Sequence, residues 1–319
     1  MIAVSGKNGV SVGTEKAVKA AESRGLSKVF FVNGLCDESA RFYRVFETLK
    51  ASFGPSVCPV VVPFIVDGQA NCYVNLLEYK AYAYSPDGKV SEVPMPDMGD
   101  RLEGLRTAIY EAVAETSDEM FEKYFSGEAF TPEEVIVGVS RGVKSGAISP
   151  VFCGDAINTF GIDQLLNGLV WLAPSAAEKS DEIGLDPDGN MVELSVNEDG
   201  APAAVVFKTI ADPFVGKLSY FKVISGKVSP ETPLVNMRTG NQERISKVMT
   251  VKGKKQEDAA YIGAGDIGAA PKLQNTNTGD TLCSPVRKVT LDGVEYPNPC
   301  LSMAIYPKKK ARRIRWPKA

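Results

Sequence analysis

The chain of 319 residues is long enough for about two or three domains of ordinary size. Hydrophobic content of 44% with 24% charged residues is that of a soluble globular protein, and no run approaches the ~18 consecutive apolar residues of a membrane span. Histidine is absent, which removes the commonest general base, the commonest metal ligand and every Ser-His or Cys-His nucleophile pair.

Charge is uneven. The last twelve residues, KKKARRIRWPKA, hold seven Lys or Arg and no acid, so the net charge of −3 becomes −10 without them. This tail leaves three readings open: an arm that binds RNA phosphates with Trp316 as a stacking face, a solvated end, or a shifted reading frame. Cys36, Cys58, Cys72, Cys153, Cys283 and Cys300 form no CxxC pair. They read as reduced thiols, which implies a cytoplasmic location. The start, MIAVSGKNGVSVGTEK, has no signal layout and reads as folded protein. GKNGVSVG is not a phosphate loop, since no GK[ST] closes it.

In chain order, Met1 to Ser5 reads as a strand. Thr14 to Arg24 reads as a helix with Thr14 as its cap. Val29-Phe30-Phe31-Val32 is a buried parallel strand that delivers Asn33 to the carboxyl edge of a sheet. A helix follows, capped by Asp37 or Ser39, with Phe42, Val45, Phe46, Leu49 and Phe53 on one face. Val57 to Val66 is a buried strand. Residues 67 to 146 read as an inserted α+β element, with strand character over Tyr73 to Tyr84 and a turn at Pro86-Asp87-Gly88. One helix is expected over Leu102 to Phe125 and a second from the capping box at Thr131-Pro132-Glu133-Glu134. Parallel winding resumes with a strand over Ala147 to Cys153 and a helix with Ile162, Leu165, Leu166 and Leu169 inward.

Pro174 to Pro202 is polar and turn-rich, which marks a boundary. Beyond it the apolar period becomes two. Strands are expected at Ala204 to Ala211, Lys217 to Ile224, Thr232 to Asn236, Glu243 to Thr250 and Ile267 to Ala270. Ser225-Gly226, Thr239-Gly240 and Thr278-Gly279-Asp280 supply turns, as in a small closed barrel. The fold class is therefore α/β, an incomplete parallel sheet with an α+β insertion, followed by an antiparallel β-barrel.

ADPFVGKLSYFKVISGKV (211–228), ERISKVM, GAGDIGAA and NTGDTLC (277–283) resemble, in order and spacing, the second domain of elongation factor G, a translational GTPase. YPNPCLSMAIYPK resembles the entrance to that family's third domain. GVSVGTEKA, FVNGLCDESARFYRV and PVFCGDA resemble the late part of its G domain, and EAVAETSDEMFEKYFSGEAFTPEEV resembles its insertion subdomain. The resemblance implies residues 1–176 as the later G domain, with the insertion at 67–146. It implies 177–202 as a linker, 203–294 as the barrel, and 295–319 as the start of a third domain plus the basic tail. The family's phosphate loop and switches lie upstream of the matched segment, so the chain resembles a central slice of a longer protein.

The resemblance also implies where guanine would be read. The family uses Asn-Lys-x-Asp; here those positions hold Asn33, Gly34, Leu35 and Cys36. Gly34 has no stem to cover a ring, and the Cys36 thiol cannot replace a carboxylate. Cys36 could be a reactive thiol or an inert replacement. In the second guanine loop, Gly154 and Ala156 match while Asp155 stands where serine is common. The Ala156 amide could reach a base oxygen; Asp155 would repel it, or would cap the following helix.

These residues imply no catalytic group and no metal site. GTP or GDP is the family's ligand, and none is expected on this chain. The implied partner is the ribosome, through small-subunit RNA and the barrel, with no role on membranes or DNA. Alternatives are a ribosome-protection relative, a non-catalytic RNA-binding module or pseudo-GTPase, and a gene fragment without selected function.

Overall fold

A computed structural model describes residues 1–178, 181–212, 215–293, 296 and 298–304. The basic tail and Trp316 lie outside the described residues. The chain divides into two units, Met1–Ser175 and Ala176–Ala319.

In the first unit the strands are β1 (Ile2–Ser5), β2 (Phe30–Asn33), β3 (Val57–Pro59), β4 (Val61–Val66), β5 (Gln69–Asn75), β6 (Lys80–Tyr84), β7 (Val90–Val93) and β8 (Ser149–Gly154). The helices are α1 (Val12–Glu22), α2 (Phe42–Phe53), α3 (Asp100–Ala114), α4 (Asp118–Phe125), α5 (Pro132–Ser145) and α6 (Ile162–Leu172). Strands β1, β2, β8 and β3 form a parallel sheet in that order. β2 is central and buried on both faces, which explains its unbroken apolar run. Phe30 stacks on Phe53, and Phe42, Val45, Phe46 and Leu49 of α2 are all buried. Full burial of each such side chain contributes about 1.5–3 kcal/mol.

The expected strand over 57–66 is two strands in two sheets. Val60 is the pivot: its amide donates to Val151 O at 2.9 Å and its carbonyl accepts from Leu76 N at 2.9 Å. From there β4-β5-β6-β7 form the antiparallel sheet of the insertion. The strand-like run 73–84 is a hairpin, and the helix expected over 102–125 breaks at Ser117, whose hydroxyl caps α4. Thr131 and Glu134 close the capping box at α5 as expected.

Two expected caps are corrected. Ser11, not Thr14, caps α1, and Thr14 is the third helical residue that completes the box. Neither Asp37 nor Ser39 caps α2; its N-cap is Arg41, with no side-chain cap bond. Asp37 instead closes a tight turn by accepting from Ser39 N at 2.8 Å, which spends its reach before the helix begins. Leu166, expected inward on α6, is exposed because its neighbour Leu165 takes the core-facing position.

The second unit holds β9 (Glu182–Leu185), β10 (Met191–Leu194), β11 (Ala203–Asp212), β12 (Gly216–Ser225), β13 (Lys227–Val228), β14 (Pro233–Asn236), β15 (Gln242–Arg244), β16 (Val248–Lys252), β17 (Lys255–Ala259), β18 (Ile262–Gly263), β19 (Ile267–Pro271), β20 (Thr281–Cys283) and β21 (Thr290–Leu291). Eight of them form one antiparallel sheet in the order β15-β14-β20-β11-β12-β19-β16-β17. Leu234, Val206, Phe221, Ala270 and Val248, drawn from strands near both ends of that order, share one buried cluster. The sheet is therefore rolled around its core, and the short antiparallel pair β13-β18 adds Val228 and Ile262 to the same cluster. Residues 177–202, expected as a linker, carry β9 and β10, which pair with β21 in a small separate sheet. The polar turn Asp186-Pro187-Asp188-Gly189-Asn190 that suggested a linker is their hairpin connection.

Candidate functional site

β2 and β8 are neighbouring parallel strands with Asn33 in register with Gly154, so their loops leave the carboxyl edge side by side. The ladder runs one step further through Leu35 N to Gly154 O at 3.1 Å. The two loops then lock onto each other. Asn33 Oδ1 accepts from the Ala156 amide at 2.9 Å, and Asp155 Oδ2 accepts from the Cys36 amide at 3.4 Å. Asp155 Oδ1 accepts from Ile157 N at 3.1 Å, Asn158 N at 2.9 Å and Asn158 Nδ2 at 3.0 Å. Gly34, with φ of +82°, makes the turn between Asn33 and Cys36. A Cβ at Gly154 would collide with the Phe160 carbonyl, because Asp155 and Phe160 exchange backbone bonds of 2.9 Å in both directions across the loop.

Four donors already occupy the two oxygens of Asp155, which is 5% exposed. Three of them crowd Oδ1 and the Cys36 amide reaches Oδ2, so the carboxylate is turned into its own two loops. The expectation that Asp155 caps the following helix is corrected: α6 starts at Ile162 behind Gly161, and Asp155 closes the loop instead. The Ala156 amide is committed to Asn33. Cys36 is exposed. Burial of its sulfur and then the Asp155 carboxylate push its thiol up, the opposite of what a reactive thiolate needs.

The insertion braces this loop. Tyr84 stacks on Phe160 with centroids 5.4 Å apart, and its hydroxyl donates to Asp163 Oδ1 at 2.5 Å. Gln164 joins Asp163 at 2.9 Å and accepts from Asn75 Nδ2 at 2.8 Å. Burial, then Asp163, pushes the Tyr84 phenol well up, so it donates at every physiological pH. Sequence reasoning missed these braces, since the partners are some 80 to 90 residues apart. The one local cue is the aromatic Phe160 before Gly161.

The barrel holds the second polar cluster. Asp280, 4% exposed, accepts from Arg238 Nε at 2.6 Å and Nη2 at 2.9 Å, from Asn236 Nδ2 at 2.8 Å and from the Asn277 amide at 2.8 Å. Glu243 accepts from Asn275 N at 2.5 Å and Thr276 Oγ1 at 2.9 Å, and Lys217 Nζ donates to Thr276 O. Burial alone would raise the Asp280 carboxyl, but Arg238, Asn277 and Asn236 together hold it below the usual range. This cluster pins the 274–280 loop to the end of β14 and β15. Among the described residues no three His, Cys, Asp or Glu side chains are placed to hold a metal ion, and no described helix is long and apolar enough to cross a membrane.

Residues 201–285 match the family model for elongation factor G domain 2. Over 97% of its length the chain is similar to a protein from Thermus thermophilus known from its crystal structure, with 27% identity and a TM-score of 0.81. The match covers 44% of that protein, so this chain spans less than half of its relative. The parallel sheet, the braced insertion and the matched barrel together give this chain the architecture of an elongation factor G-like translation factor.

Proposed function

We propose that this chain serves protein synthesis as a ribosome-directed module whose guanine loops have become a structural clamp. The observation that carries this reading is the Ala156 amide bound to Asn33 at 2.9 Å, beside an Asp155 turned to four donors of its own loops. GTP or GDP does not fit the residues present. No carboxylate stands at Cys36, no lysine stem at Gly34, and the sequence has no GxxxxGK[ST] loop for phosphates. The chain neither binds guanine nucleotide tightly nor hydrolyses GTP by itself. Its partner is small-subunit ribosomal RNA, met through the barrel, which is the part that matches a translation-factor domain.

Two measurements test this. Co-sedimentation with ribosomes over a salt series is expected to show binding at low salt that weakens as salt rises. Titration with a fluorescent guanine nucleotide is expected to show no saturable binding in the micromolar range. Absence of co-sedimentation at low salt removes the ribosome partner; tight nucleotide binding abolished by Asn33→Ala removes the clamp.

A further inference from the structure

A concave site lies at the same sheet edge, on the other side of the β2 loop. It is a cleft of about 280 Å³ between the loop after β1 and the first two turns of α2. Its polar lining is Lys7, Asn8, Ser39, Arg41, Arg44 and Thr48, with three cations and no carboxylate. The geometry points to a binding site for a phosphate oxyanion.

The cleft is built on a fixed frame. Gly9 N returns to Ser5 O at 2.8 Å, and Ser5 Oγ accepts from the amides of Lys7 and Asn8 at 3.3 and 3.1 Å. Arg41 N donates to Gly6 O at 2.8 Å, which ties the two walls together. Gly6 permits this approach: a Cβ there would lie 2.9 Å from Leu35 Cδ2 and 3.0 Å from Asn33 O.

The cations keep donors to spare. Arg41 uses Nη1 on the Glu38 and Ala40 carbonyls at 2.6 and 2.7 Å, which orients its guanidinium and leaves Nε and Nη2. Among the described residues no hydrogen bond or ion pair engages the Arg44 guanidinium. Lys7 pairs with Asp37 at 3.3 Å, an exposed contact that an anion can replace. Arg41 and Arg44 are one turn apart, where like charges repel, and a bound dianion relieves that repulsion. Two guanidinium forks and an ammonium suit the three free oxygens of a phosphate better than the two of a carboxylate. Ligands of α/β sheets gather at this carboxyl edge. The chemistry is shared by free phosphate and by a phosphodiester of RNA.

The site stands independently of the clamp and of the barrel's partner. The test uses the full chain with inorganic phosphate and, separately, a short single-stranded RNA, followed by calorimetry and by amide shift mapping. Saturable binding is expected, with shifts at Lys7 to Val10 and Ser39 to Arg44. Arg44→Gln should weaken it at least about tenfold, and Arg44→Lys by less. Circular dichroism checks that both variants fold. RNA binding much tighter than phosphate identifies a phosphodiester source; equal affinities identify free phosphate. No saturable shifts in these two segments with either probe, or shifts that survive Arg44→Gln unchanged, overturn the site.

Discussion

The clamp at the parallel-sheet edge and the cluster at the end of the barrel use one device with different donors. Each buries an aspartate, Asp155 at 5% and Asp280 at 4% exposure, and surrounds it with four donors. Asp280 recruits a cation, Arg238, and an amide side chain, Asn236, from a neighbouring strand and turn. Asp155 takes backbone amides and one local asparagine, with no cation. The barrel cluster is a charge-compensated anchor. The clamp is a pair of loops with their own donors folded inward. A polar constellation at a ligand-binding edge is therefore not evidence of a ligand until its free valences are counted.

The largest expected effect tests the anchor. Asp280→Ala removes hydrogen bonds to a buried carboxylate and should cost about 3 kcal/mol of barrel stability, read by urea denaturation. A loss under about 1 kcal/mol would mean that the cluster is surface decoration. The same carboxyl makes the barrel acid-sensitive. Its native pKa is depressed, so the unfolded state binds the proton more readily. Its stabilisation is full above the unfolded value of about 4 and is lost as pH falls through the native value. Asp280→Asn should flatten that slope below about pH 4; an unchanged slope would assign the acid sensitivity elsewhere.

Next is Gly154→Ala, which forces a methyl into the Phe160 carbonyl and should cost about 1–3 kcal/mol in the first unit. Thermal unfolding of that unit measures it, and a neutral outcome would show the loop can open. Asn33→Ala should cost about 1 kcal/mol by freeing the Ala156 amide, without creating nucleotide binding. The smallest effect is the sharpest test of the comparison. Cys36→Asp restores the missing carboxylate, yet fluorescence titration should still detect no guanine nucleotide, because Gly34 and the committed Ala156 amide remain. Binding from that one change would show the clamp to be loose.

Much of this was legible locally. The apolar run at Val29 to Val32 specified a doubly buried strand, the Thr131 to Glu134 box specified a helix start, and the 211–228 and 277–283 motifs specified the barrel. Where local signals failed, competition within the chain was the cause. Asp37 has the composition of a helix cap but is nearer to Ser39 and Lys7. Leu166 fits an apolar stripe whose core position Leu165 already fills. The turn at 186–190 resembles a linker because hairpin turns and linkers share a composition.

By itself the sequence determined which side chains stand at the two loops that the resemblance aligns with guanine-reading loops: residue identity alone shows that Gly34 has no stem to cover a ring and that Cys36 has no carboxylate to pair with a base. Only the tertiary structure decided what the remaining groups do. Asn33 meets Ala156 across 123 positions and Cys36 meets Asp155 across 119, because β2 and β8 lie side by side. The pairing of distant strands, and not any local preference, turns those donors inward.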